Sequence, residues 1–248
     1  MKGLVSGGAA FFVATLVAVA AFTALAGPNS AYASFDVRKD AFSISNAPGW
    51  CFAMAAFSRW YYLTRRDEAP LRRVLDKRVQ QRIASELQSF YSRNLIKLQA
   101  DYCNQYIQNQ SVWFRRFVTA LVCGEPRMVL LMNKGPRGAV LHAVLAYAWV
   151  PERDLIKIYD PNYSDGERII DLAKKEYTSL DITYNAICFP EVFHDHAGLV
   201  HKMRQLHESF AARKTNAELR RSAVEESSSR LTRVRTEANG TNRSLGIR

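Results

Sequence analysis

The chain has 248 residues, 48% of them apolar and 23% charged; it can bury a sizeable core, and wholesale disorder is excluded. Its four cysteines, Cys51, Cys103, Cys123 and Cys188, are too few for a disulfide-knotted miniprotein, and no two stand at the spacing of a structural zinc site, so no metal is expected. The formal charge of +11 would suggest nucleic acid as a partner, but residues 34–200 carry 22 basic and 18 acidic groups against 11 and 5 in residues 201–248, which makes the excess largely a property of the tail.

In chain order, residues 1–33 read as a signal peptide: Met1-Lys2, an uncharged apolar run from Leu4 to Leu25, a Gly27-Pro28 break and a small-x-small site at Ala31-Tyr32-Ala33. The run is also long enough to span a bilayer, so an uncleaved N-terminal anchor, and with it membrane association, stands as the alternative. Either way the remainder is exported, to a secreted or periplasmic location, and a nucleic-acid partner is not expected. Residues 34–207 read as one α+β domain, helical first and antiparallel β-sheet second. A turn at Pro48-Gly49 precedes an apolar helix over Cys51–Leu63. Leu71, Leu75, Val79, Ile83 and Leu87 recur every four residues and predict one long helix starting after Pro70. A further helix is predicted over Val112–Val122, ended by Gly124 and Pro126. Strands follow at Met128–Met132, Ala139–Val150 and Leu155–Tyr159, with a turn over Asn133–Gly138 and later short runs around Ile169 and over Ile182–Phe189. Residues 208–248 hold few large apolar side chains and read as a basic flexible tail.

The chemistry begins at Cys51. At a helix N-terminus, backbone N–H groups and the helix dipole stabilise a thiolate and make a cysteine nucleophilic. Without a base nearby, a cysteine among Ala, Phe and Met is simply a small buried hydrophobe. Of five histidines, His194, His196, His201 and His207 lie near the tail and read as surface side chains. His142 instead lies in a strand apolar on both faces, where its ring needs a hydrogen-bond partner. If strands 139–150 and 155–160 form a hairpin closed over Pro151–Asp154, His142 lies across from residue 161 or 162. Asp160 and Asn162 share a face there, and one of them is expected to accept from the imidazole. Nucleophile, base and orienting group then make a triad.

Gly49-Trp50-Cys51-Phe52-Ala53-Met54, Leu141-His142-Ala143-Val144-Leu145-Ala146-Tyr147 and Ile158-Tyr159-Asp160-Pro161-Asn162 resemble, in that order, the three signatures of bacterial papain-like cysteine peptidases. The resemblance covers about residues 42–165. It implies a papain-like fold, with a helical half carrying the nucleophile, a sheet half carrying the base and the active-site cleft between them. It implies Cys51 as nucleophile, His142 as general base and acid, and Asp160 as the orienting residue, with Asn162 as runner-up. The side-chain amide that binds the oxyanion in such enzymes corresponds here to Asn46, five residues before the cysteine, and Ala53 stands where many relatives carry glycine. An exported thiol hydrolase acting on a protein or peptide is the activity implied, with no cofactor. A transglutaminase-like acyl transferase and a noncatalytic, membrane-tethered papain-like binding module are the alternatives. With Cys51 held as a thiolate, at most one disulfide forms among Cys103, Cys123 and Cys188.

Overall fold

The computed structural model describes residues 35–46, 49–65, 69–96, 110–135, 138–164, 167–189 and 196–212, together with Ser222, Val224 and Glu225. The leader assigned to 1–33, Cys103, Pro48 and most of the tail lie outside these. The chain divides into two compact units, Met1–Val200 and His201–Arg248.

The first unit is a mixture of helices and antiparallel sheet, as the order of apolar periodicities predicts. Its helices are α1 (Val37–Asp40), α2 (Cys51–Arg65), α3 (Leu71–Val74), α4 (Lys77–Asn94) and α5 (Gln110–Val122). The sheet strands are β1 (Arg127–Gly135), β2 (Gly138–Val150), β3 (Leu155–Tyr159), β4 (Glu167–Asp171), β5 (Tyr177–Ser179), β6 (Ile182–Tyr184) and β7 (Ala186–Cys188). Five strands form one sheet in the order β4-β3-β2-β1-β7, and β5 pairs only with β6 in a separate two-stranded sheet.

The helix expected after Pro70 is two helices. Leu75 is extended and Asp76 caps α4, its carboxylate accepting from the N–H groups of Arg78 at 2.8 Å and Val79 at 2.9 Å. An aspartate that satisfies the first N–H groups of a new helix competes with continuing the old one. The four-residue stripe is otherwise real: Leu71, Leu75, Ile83 and Leu87 are all buried. Beside them Gln80 is also buried, held by Nε2 to Leu75 O at 2.8 Å and by Ser43 N–H to its Oε1 at 2.7 Å. Helix α5 ends at Gly124, whose φ of +76° lets Glu125 N–H reach back to Ala120 O at 2.9 Å.

The turn predicted over 133–138 is tighter than expected, because β1 and β2 remain paired as far as Gly135 opposite Gly138. The apolar run 182–189 splits into β6 and β7, which belong to different sheets. Strand β2 carries one extra residue at Tyr147: Ala148 faces Lys157, whereas Ala146 faces Ile158, so a bulge lies between. Helices α2 and α5 pack on β1 and β2. Met128, Val129, Leu130 and Leu131 are buried at successive positions, so both faces of β1 are covered, and Phe52, Met54, Phe57 and Tyr61 of α2 complete the core.

In the second unit, residues 201–212 are helical and bury Met203, Leu206 and Phe210 at spacings of three and four. The tail boundary placed at 207/208 therefore falls inside a helix. His207 lies on the buried face as well, so it is not the surface side chain its neighbourhood in sequence suggested; the period of the apolar residues around it was the overlooked signal.

Candidate active site

Gly49 turns the chain into α2 with a φ of +78°, and an added Cβ would meet nothing within 4 Å, so its need is for backbone conformation. Trp50 O accepts from Met54 N–H at 3.0 Å, which makes Cys51 the first residue of the helix. The first turn holds no acidic residue, and the N–H of Ala53 is satisfied by Gln88 Oε1 of α4 at 3.1 Å. The positive end of the dipole is therefore unopposed by a carboxylate of its own turn.

The half-buried Cys51 thiol is coupled to the imidazole of His142. Burial works against its ionisation, but the proton and charge of the imidazolium and the N–H groups of Ala143 and Phe52 hold Cys51 below the usual thiol range. His142 is 3% exposed, in the middle of β2 and opposite Leu131. Its Nε2 lies 2.7 Å from Asp160 Oδ1, which leaves Nδ1 for the thiol. Burial alone would pull the imidazole down; the bonds to Asp160 and Cys51, and their charges, raise it to about 9. Asp160 is fully buried, yet His142, Ser179 and the N–H of Asn162 hold its carboxyl below the usual range against that burial. The sequence thus brings Cys51, His142 and Asp160 together, with His142 hydrogen-bonded to Asp160 and coupled to Cys51.

The pairing of β2 with β3, continued past Leu145 opposite Tyr159, sets His142 against residue 162. Asp160 is the diagonal neighbour on the same face, and a buried side chain reaches that far. Asn162 belongs to the same group: its Nδ2 lies 3.4 Å from His142 Nε2 and donates to Ser179 Oγ at 2.8 Å. Its Oδ1 accepts from Asn46 Nδ2 at 2.8 Å, so Asn46 also reaches the triad's edge, and Asn46 N–H donates to Pro161 O at 3.1 Å. Arg72 of α3 fastens the same two segments together, donating to the carbonyls of Ala41, Phe42 and Ser164.

Three residues of the site carry no sequence signal of the triad kind. Tyr177 and Ser179 donate their hydroxyls to Asp160 Oδ2 at 2.8 and 2.6 Å. Tyr184 lies against the His142 ring, with centroids 5.8 Å apart and planes 25° from parallel. The alternation Tyr177, Thr178, Ser179, with only the middle residue exposed, could have marked two polar groups on one buried face. Cys123 is an exposed free thiol and Cys188 is buried in β7. No protein-family model, curated protein or solved structure matches the chain.

Proposed function

We propose that the protein is an exported thiol hydrolase of papain-like arrangement that cleaves peptide or amide bonds. The observation that supports this reading is a cysteine at a helix N-terminus coupled to a buried histidine, which is itself hydrogen-bonded to a buried aspartate. The downward shift of Cys51 and the upward shift of His142 favour a thiolate–imidazolium pair before substrate arrives. Cys51 Sγ attacks the carbonyl carbon, and the carbon–oxygen π pair moves onto oxygen. The developing oxyanion is met by the N–H of Cys51 at the start of α2 and by the Asn46 amide proton that does not go to Asn162. His142 then gives its proton to the amine nitrogen as the carbon–nitrogen bond breaks, leaving an acyl-enzyme. Water enters, His142 takes a proton from it, the new hydroxyl attacks the acyl carbon and the thiolate departs.

The test is alkylation of the full chain with iodoacetamide at pH 6, followed by digestion of a mixed peptide library. Cys51 should be labelled at least 10-fold faster than the exposed Cys123, because the thiolate fraction governs the rate. His142→Ala should remove that advantage and Cys51→Ala should abolish cleavage. Equal labelling of Cys51 and Cys123 would overturn the reading. A fast-labelling protein that joins peptides to added amines instead of hydrolysing them would reassign the acyl-enzyme to transfer.

A further inference from the structure

We propose that Tyr177 and Ser179 of β5 are positioning residues for this site, which clamp the far oxygen of Asp160 so that its near oxygen is fixed on His142. The inference rests on the hydrolase reading above and deepens it. A carboxylate has four lone-pair positions, and all four of Asp160 are used. Oδ1 takes His142 Nε2 at 2.7 Å and Asn162 N–H at 2.9 Å, and Oδ2 takes the hydroxyls of Tyr177 at 2.8 Å and Ser179 at 2.6 Å. The side-chain torsion that turns an aspartate carboxylate is broad and soft. Two donors on Oδ2, arriving from residues two apart on one strand face, hold that torsion where the bond to His142 is straight.

Ser179 has a second part in the clamp. Its oxygen accepts from Asn162 Nδ2 at 2.8 Å while its proton goes to Asp160. Without this acceptor the Asn162 amide, 3.4 Å from His142 Nε2, would lose its anchor beside the ring. The strands that deliver the clamp have no place in the main sheet, and an isolated two-stranded hairpin is marginal on its own. The site helps to hold the hairpin, through the two hydroxyls on Asp160, the ring of Tyr184 against His142 and the N–H of Leu180 on Tyr163 Oη at 2.8 Å, beside the bond from Asn185 N–H to Met132 O of β1 at 3.2 Å. Leu180 closes the turn at a φ of +52°, a conformation a leucine keeps only when its surroundings impose it.

The test compares the full-length wild type with Tyr177→Phe, Ser179→Ala and the double variant. The first readout is the low-field proton resonance of the His142 Nε2–H, recorded at pH 6 where the ring is protonated. A buried, charge-assisted hydrogen bond shifts this proton downfield and shields it from exchange. The second is the split of kcat and KM on a peptide the wild type cleaves. The wild type should show the resonance, and the double variant should lose it. Each single variant should lower kcat about 10-fold and the double variant about 100-fold, with KM within about twofold of wild type, as expected when the partners of an orienting group are removed. A double variant that keeps both the resonance and its kcat overturns the inference. A wild type that shows the resonance, and a double variant that loses it, in a protein that cleaves no peptide, would uphold the clamp and refute the hydrolase reading.

Discussion

Asp160 and Asn162 both lie within reach of His142, and the two make different demands on it. An aspartate stabilises the imidazolium by charge and a short bond; an asparagine can only accept through its carbonyl. Asp160 accepts at 2.7 Å and Asn162 presents its amide nitrogen at 3.4 Å, so the carboxylate orients the ring and Asn162 braces the group around it. The pH dependence of kcat/KM follows from the two shifts. It should fall on the acid side as the thiolate of Cys51 gains a proton, below the ordinary thiol value, and on the alkaline side as His142 loses its proton at about 9. Asp160→Asn removes the charge that raises His142, so the alkaline limb should move down toward the ordinary imidazole value, with kcat reduced about 10³-fold; a pH–rate profile of wild type beside variant measures both. An unmoved alkaline limb would assign the orienting role to Asn162. Cys51, His142, Asp160 and Asn162 were legible in the sequence because each stands against an apolar or turn-forming background that makes its chemistry conspicuous. Tyr177 and Ser179 were not, because the alternation that sets them on one face spans only the three residues of β5.

Among the elements, those with long apolar periods were readable and their interruptions were not. Helices α2 and α5 and strand β3 follow the sequence closely, whereas the stripe from Leu71 to Leu87 continues across a break that apolar spacing alone does not register. The break comes from Asp76, whose carboxylate starts α4. Asp76→Ala should lower stability by about 1 kcal/mol in urea unfolding with an unchanged m-value, and leave Cys51 labelling as it is. No loss of stability would mean that packing of Ile83 and Leu87 alone fixes where α4 begins. Gln80 escaped notice for a related reason: it sits at the edge of the apolar stripe and is buried because it closes the backbone of the break and of Ser43.

For the molecule as a whole, the α+β arrangement was legible from the order of periods, and the joining of its parts was not. Helix α2 brings Cys51 and the sheet brings His142 and Asp160, so the group of three residues exists only because α2 packs on β2. What aligns them within the sheet is the bulge at Tyr147. On the loop side of it, Ala148 faces Lys157; continued straight, that pairing would set His142 opposite Tyr163 and put Asp160 on the reverse face. The two ends of this one hairpin run out of step by a residue, and only the shifted phase puts His142 and Asp160 on one face. The ladder of β1 on β2 stops at Ala146, so no β1 pairing depends on Tyr147, whose ring meets Phe35 and whose hydroxyl donates to Glu167. Removing Tyr147 altogether should therefore leave Ala146 opposite Ile158, regularise the strand and keep kcat within about 10-fold, the loss of a bulge residue being local. Removing Val144 should advance His142 by one position, turn it away from Asp160 and abolish turnover in a protein that still melts cooperatively. Length changes in this hairpin are thus sorted by which side of Tyr147 they fall on: the loop side can drift, and the site side is counted residue by residue.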